Sequence, residues 1–549
     1  MSDKIAILQI GMEDWSNSLA IPEKLDWQYL HPEDIAMFVT AHQNWKQERK
    51  KLEKDLEQLE KLKEKTPQIE LEIKKLRQTL KEVLASQTVY AALILSEKSY
   101  PRELSGLGEQ FEPYQVFYPS HLEADGDTAA FLRQKMAQSF VWEKRNELVY
   151  QLSKILFTGQ YGAKLPIHDL QISPSFSGEV RFEGRKYLCL TGDFGEDYRQ
   201  IAFFRYNIQF MEWQFLNLFL DHWTDGQCQL KLSVSLIPSG ATNEIAKEWT
   251  FEGSDLRQQL LIDGGMDGYL FISIQAKGQG SLKLGPCHYR WSRAEFGEFI
   301  LGGERLVDQD LQEIQTYFEP GDFKPPLCVY FSGFRTAEGY EGYWMMKSLK
   351  TPFMLICDPR LDGGGFYLGS PELEQAVIDK IQEKLAFLGF DSSQLILSGM
   401  SMGTFGALYY GSQLKPYGVV ISKPLMNLGN MALRERVQRP GGFPTSLDIL
   451  KTNAGNLSEE AAHRLNERFW SCMTDGVFAG TRFSIAYMRE DDYDQTAFED
   501  FVHFSKGTGA KVLGKGYSGR HLDGGGAPNN WFMNQYLDLL KKGFGRGEN

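Results

Sequence analysis

An apolar run that stops at a glycine-flanked serine constrains this chain more than any other feature. Leu395-Ile396-Leu397 leads into Ser398-Gly399-Met400-Ser401-Met402-Gly403, and the small residues Thr404, Gly406 and Ala407 follow closely. Gly-x-Ser-x-Gly between a strand and a helix marks a turn so sharp that a side chain two residues before or after the serine would strike the adjoining element. Gly399 and Gly403 stand at those two positions. Such a turn exposes the Ser401 hydroxyl and aims the Met402 N–H, at the start of a helix, toward an incoming carbonyl oxygen. The pattern alone is weak in a chain with 53 glycines, so its surroundings have to decide.

Those surroundings read as alternating strands and helices. Short apolar runs at 327–331, 353–357, 395–397, 419–422, 483–488 and 511–513 have the continuous hydrophobicity of buried parallel strands. Between two of them, Leu373, Val377, Ile381, Leu385 and Leu388 recur at threes and fours, and Gly389 follows as a C-cap. Strand, helix, strand and serine turn together predict an α/β-hydrolase-like domain over residues 305–549.

A serine in this setting needs a base, and in such a domain the chain order is serine, acid, histidine. Three histidines follow Ser401. His463 precedes every good acid candidate, and His503 sits in a helical stretch among acidic and apolar neighbours. His521 lies in a glycine-rich loop, Gly516-Tyr517-Ser518-Gly519-Arg520-His521-Leu522-Asp523-Gly524-Gly525-Gly526, between the last strand and the last helix. It is the expected base. The acid belongs at the carboxyl end of the strand 484–488, where Glu490, Asp491, Asp492 and Asp494 crowd together. Position favours Asp491, then Glu490, without deciding between the four.

A second oxyanion donor is expected after an early strand, where Ser332-Gly333-Phe334 leaves the N–H of Gly333 or Phe334 to face the serine turn. The string Leu-Asp-Gly-Gly-Gly occurs twice, at 361–365 and 522–526, in loops on the edge of the sheet where ligands bind. A glycine triplet there either admits a substrate to the backbone or is a plain flexible loop. No phosphate-binding Gly-x-x-x-x-Gly-Lys-Ser/Thr motif and no clustered Cys/His metal signature occurs.

A chain of 549 residues is too long for one core, and three domains are expected. Before the catalytic region, residues 166–300 switch to a period of two. Leu230, Leu232, Val234 and Leu236 alternate with polar residues, and glycine-rich turns intervene, which predicts an antiparallel β-sandwich; sandwiches beside carbohydrate-active domains often bind sugars, so it is taken as carbohydrate-binding-like. Trp213, Trp223 and Trp291 are its candidates for stacking on a sugar, with core packing as the plainer reading. Residues 1–165 read as a small α/β domain with strands at its start and at 88–95 and a long helical stretch at 128–157. At 45–84 two leucine- and isoleucine-rich seams meet at Thr66-Pro67, an N-cap followed by a helix-starting proline, so the segment should fold back as a helical hairpin. Such a charged arm is either solvated or a docking element.

A net charge of −13 argues against nucleic acid or an acidic membrane surface as a partner. The six scattered cysteines read as reduced thiols of a cytoplasmic protein. No apolar stretch reaches the length of a membrane span.

An acidic N-terminal domain, a sandwich, and a serine domain carrying Ser398-Gly399-Met400-Ser401-Met402-Gly403-Thr404 and Gly519-Arg520-His521-Leu522-Asp523-Gly524-Gly525-Gly526 resemble, along the whole chain, a bacterial family. It is the second of the three accessory secretory proteins that serve export of serine-rich-repeat adhesins. The resemblance implies an O-acetyltransferase that acetylates N-acetylglucosamine on the glycosylated adhesin and assists its export. It also implies work with two sister proteins and the accessory Sec motor ATPase, in the cytoplasm or peripherally at the inner face of the membrane. The family's nucleophile falls on Ser401, its histidine on His521, and its acid within Glu490-Asp491-Asp492. No bound cofactor is implied. The acyl donor stays open, acetyl-CoA among the candidates, and a carbohydrate esterase or a non-catalytic export scaffold are the alternatives.

Overall fold

The computed structural model describes residues 4–62, 65–241, 243–437, 443, 445–474 and 476–547. It divides into two compact units, Met1–Thr158 and Gly159–Asn549. The first is built on a parallel sheet in the order β2-β1-β3-β4-β5, where β1 is Ile5–Ile10, β2 Leu25–Leu30, β3 Tyr90–Leu95, β4 Val116–Pro119 and β5 Gln138–Phe140. Between β2 and β3, helices α1 (Ile35–Glu60) and α2 (Pro67–Ala85) form the hairpin. The Thr66 hydroxyl accepts from the Ile69 N–H and Pro67 opens α2, while the Trp45 indole donates to the Val83 carbonyl at 2.7 Å and ties the arms together. Helix α1 starts earlier than the seam suggests.

The single helix expected over 128–157 is instead two, α3 (Gly126–Gln134) and α4 (Arg145–Ile155), parted by β5. Met136 takes φ +46°, which an α-helix cannot continue through. The chain then runs beside β4 and buries Phe140.

The second unit begins with β6 (Gly162–Leu165), which pairs with the antiparallel region and so moves its start ahead of residue 166. Further strands are β7 (Leu170–Ile172), β8 (Glu179–Glu183), β9 (Tyr187–Phe204), β10 (Ile208–Phe210), β11 (Leu216–Thr224), β12 (Cys228–Pro238), β13 (Lys247–Glu252), β14 (Leu260–Ile262) and β15 (Gly268–Trp291). All ten belong to one hydrogen-bonded sheet, not to two separate ones. The long strand β15 pairs with β12 along its first half and β11 along its second, while β9 follows its other edge through register slips around Gly278. Leu232, Val234 and Ile274 of one half share a core with Leu188, Leu218 and Leu284 of the other, as a sheet must when no helix covers its apolar face.

The C-terminal region carries an eight-stranded sheet in the order β16-β17-β19-β18-β20-β21-β22-β23. These are Glu304–Val307, Glu313–Glu319, Leu327–Phe331, Phe353–Cys357, Leu395–Met400, Gly418–Ser422, Arg482–Met488 and Lys511–Tyr517, β16 to β23 in chain order. The last six are parallel; β16 and β17, which no apolar run announced, form an antiparallel edge. Helices α5 (Tyr343–Ser348), α6 (Pro371–Leu388), α7 (Met402–Leu414), α8 (Leu428–Val437), α9 (Ser446–Ala454), α10 (Glu459–Trp470), α11 (Ala497–Ser505) and α12 (Ala527–Phe544) complete it. The fold is thus mixed α/β with several sheets, and the carboxyl ends of β18, β20, β21, β22 and β23 gather the site.

Candidate active site

Ser401 sits between β20 and α7 at φ +52°, ψ −120°, a conformation a non-glycine residue holds only when its surroundings impose it. A Cβ on Gly399 would lie 2.3 Å from the Gly403 carbonyl oxygen, and one on Gly403 would lie 2.0 Å from that of Phe331. The backbones of β18, β20 and α7 therefore touch, and only glycine fits between them. The Ser401 N–H bonds to the Ser422 carbonyl on β21 at 2.9 Å, which fixes the turn to the sheet. Met402 opens α7, where first-turn amides have no partner within the helix.

The Ser401 hydroxyl lies 2.8 Å from Nε2 of His521, and Nδ1 of His521 lies 2.8 Å from Oδ2 of Asp491. A carboxylate only accepts, so the ring proton is on Nδ1 and Nε2 is left to accept from the serine. Both His521 and Asp491 are buried. The second carboxylate oxygen of Asp491 accepts from the N–H groups of Tyr493 and Asp494.

The other three acids do different work. Glu490 accepts the Gly519 N–H and Asp492 accepts the His521 N–H at 3.0 Å. Asp494 turns away to the N–H groups of Met426 and Asn427 and the Asn427 amide, and burial pushes its carboxyl up. Glu490, the second choice for the acid, is thus a clamp on the histidine loop and does not touch the ring. From the opposite side Lys423, itself at φ +58°, donates to the carbonyls of His521 at 2.5 Å and Asp523 at 2.9 Å. Burial lowers the Lys423 ammonium, with Asp491 and Asp523 opposing. A loop with five glycines between 516 and 526 has little conformational preference of its own. Here both backbone groups of His521 are gripped by charged side chains of opposite sign.

Gly333 does not present a free N–H: it donates to the Glu341 carboxylate at 2.7 Å, and the Tyr330 hydroxyl donates to the same oxygen at 3.2 Å. The expectation for Gly333 is corrected, and of the two candidates in that loop Phe334 remains. The first glycine triplet packs on protein. A Cβ on Gly363 would meet the Phe334 ring at 2.4 Å, and one on Gly364 the Met402 thioether at 2.3 Å. The loop 361–365 thus lies against the side chains of both proposed oxyanion residues. In the second triplet Gly526 has open space.

The antiparallel sheet holds that first loop. Lys164 on β6 donates to the carbonyls of Pro359 and Leu361, and Arg185 pairs with Asp362 at 2.8 Å. Beneath them Arg290 on β15 donates through Nε to Glu338 at 2.6 Å and through its other nitrogens to Glu313 on β17. Glu338 also takes the His288 ring at 2.5 Å. Among the described residues no group of His, Cys, Asp and Glu is arranged to hold a metal ion, and no helix is long and apolar enough to cross a membrane.

Residues 5–546 match the accessory Sec system GspB-transporter family. The chain belongs to that family. It is 38% identical to the accessory Sec system protein of Streptococcus gordonii over the whole of both chains. It is also 39% identical to that of Staphylococcus aureus, over 82% of this chain and 87% of the other. A solved Glycosylation Associate Protein (Gap123) complex from Streptococcus agalactiae contains a chain 46% identical, superposing at a TM-score of 0.90 over 100% of both. Several site residues of this accessory Sec family member escaped the sequence reading: Lys423, Glu341 and Lys164. A lysine after a strand or a glutamate eight residues past Gly333 carries no sequence signal of its partner.

Proposed function

We propose that this chain is an O-acetyltransferase acting on N-acetylglucosamine of glycosylated serine-rich-repeat adhesins, and that it assists their export together with its two sister accessory secretory proteins and the accessory Sec motor ATPase. The observation that carries the reading is the continuous relay Ser401 Oγ, His521 Nε2, His521 Nδ1, Asp491 Oδ2, with both links at 2.8 Å. Family membership supports the export role, and the Gap123 complex supports assembly with sister proteins.

In this reading Ser401 Oγ attacks the carbonyl carbon of an acetyl donor while its proton passes to His521 Nε2. Asp491 stabilises the imidazolium, and the N–H groups of Met402 and Phe334 hold the oxyanion. The leaving group departs with the proton from His521, leaving acetyl-Ser401. A sugar hydroxyl then attacks, gives its proton to His521, and leaves as the acetyl ester when that proton returns to Ser401. Water in place of the sugar makes the same site an esterase.

Mass spectrometry of the glycosylated adhesin from cells carrying wild-type protein, Ser401→Ala or His521→Ala tests the proposal. Acetyl increments on N-acetylglucosamine present in the wild type and lost in both variants support it. Unchanged glycans overturn it and leave hydrolysis or a scaffold. Adhesin export in the Ser401→Ala strain tells whether transfer and export are separable.

A further inference from the structure

The three tryptophans singled out in the antiparallel region have different fates. Trp291 stacks on Tyr161 at 3.8 Å and meets Trp213 edge-on at 4.9 Å, so those two pack on protein. Trp223, near the end of β11, is 46% exposed. Strand β14 pairs with β11 only at residues 216–218, which leaves that edge of β11 open at Trp223. A large indole left nearly half in water marks a contact surface.

Trp223 lines a groove of about 430 Å³ together with Tyr187, His222, Arg257, Gln309 and Gln312, inside the roughly 300–1,000 Å³ range of small-molecule sites. A second groove of about 520 Å³ shares His222 and Thr224 with it and continues past Tyr198 and Gln229. Of the residues lining the Trp223 groove, Lys186, Arg257 and Lys283 are basic and Asp310 is acidic. Lys283 pairs with Glu183 at 3.1 Å, Lys186 is countered by Asp221, and Arg257 shares the groove with Asp310. The Lys283 ammonium stands 5.5 Å and 5.7 Å from the Tyr187 and Trp223 rings. The half-exposed indole face, beside the hydrogen-bonding groups of His222, Gln309 and Gln312, suits a molecule with one C–H face and a rim of hydroxyls.

We infer that the groove at Trp223 is a saccharide-binding site, separate from Ser401, that seats a sugar ring on the indole and takes further residues of the same chain along the adjoining groove. It does not depend on acyl transfer at Ser401.

Saturation-transfer NMR and titration of the full chain with N-acetylglucosamine, its β-1,4-linked disaccharide, and inorganic phosphate test it. Sugar binding in the wild type, tighter for the disaccharide, unchanged in Ser401→Ala, and weakened about tenfold or more in Trp223→Ala supports the site. Trp223→Phe should keep part of the affinity. Because Trp223 is half exposed its removal leaves the core intact, and an unchanged melting temperature confirms this. Equal affinity in Trp223→Ala and wild type, absence of sugar binding, or binding of phosphate alone overturns the inference. Failure of the transferase reading is distinguishable: unacetylated glycans with Trp223-dependent binding leave the groove standing, and acetylated glycans without such binding remove it alone.

Discussion

Asp492 accepts the backbone N–H of His521 at 3.0 Å, while its neighbour Asp491 accepts the ring N–H of the same residue at 2.8 Å. Two adjacent carboxylates thus divide one histidine between them, one holding the loop and the other the imidazole. The division follows from the turn after β22, where successive side chains face different ways. Asp491 is kept in place by the N–H groups of Tyr493 and Asp494, so it is oriented before any substrate arrives.

This division predicts unequal costs for isosteric changes. Asp491→Asn removes the charge that stabilises the imidazolium and reverses the preferred ring tautomer, so turnover of p-nitrophenyl acetate should fall by about 10³–10⁴-fold. Glu490→Gln keeps an acceptor for the Gly519 N–H and should change it by no more than about threefold. Equal losses in the two variants would contradict the assignment of Asp491.

Lys423 offers a positioning test. Its contacts are with the carbonyls of His521 and Asp523 and not with the ring, so Lys423→Met should loosen the loop rather than alter the chemistry. A displacement of about 1 Å costs on the order of 10²-fold in rate, and the loss should fall on kcat with KM little changed. Lys423→Arg, which keeps the donors, should recover part of it. A loss confined to KM would place Lys423 in substrate binding instead.

Ser401 and His521 were legible because the constraints on them are local or ordinal: glycines two residues either side of the serine, and a histidine in the last loop. The acid was legible only as a first preference for Asp491, because Glu490, Asp491, Asp492 and Asp494 lie within five positions and only the course of the turn separates them. Gly333 misled for a related reason, since its N–H is taken by Glu341, a partner that sequence spacing does not reveal. Strand β17 was missed although every residue in it is buried. Glu313, Gln315, Thr316 and Glu319 make it look like a surface segment, and what allows Glu313 to be buried is Arg290 and Arg305, one of them from the sandwich. The helix expected over 128–157 failed because tertiary pairing of β5 with β4 overrode local preference.

The serine turn should tolerate no methyl group. In Gly403→Ala the new Cβ would stand 2.0 Å from a backbone oxygen of Phe331, which cannot rotate aside, so β18 and α7 must separate. The expected loss is about 3 kcal/mol or more, read as a lower urea midpoint. Gly526→Ala, with open space around its Cβ, should be near neutral. A stable Gly403→Ala variant would mean that the close approach of β18 and α7 is not as described.

Acid should weaken the joint between the ten-stranded and eight-stranded sheets through Glu338. Burial opposes its ionisation, yet Arg290, His288 and Lys164 together hold its carboxyl down at about 2 against an ordinary 4.5. A carboxylate with a depressed folded value contributes stability that is complete above about pH 4.5 and is lost as pH falls toward about 2. Over that window the loss is on the order of 3 kcal/mol. Glu338→Gln removes the charge and leaves Arg290 without one of its two carboxylates, so at pH 7 it should be less stable than wild type by a similar order, ~3 kcal/mol. Urea unfolding at pH 7, 5, 4 and 3 should show the difference constant between pH 7 and 5 and shrinking below about 4.5. A difference that stays constant down to pH 3 would show that the charge on Glu338 is not what holds the joint.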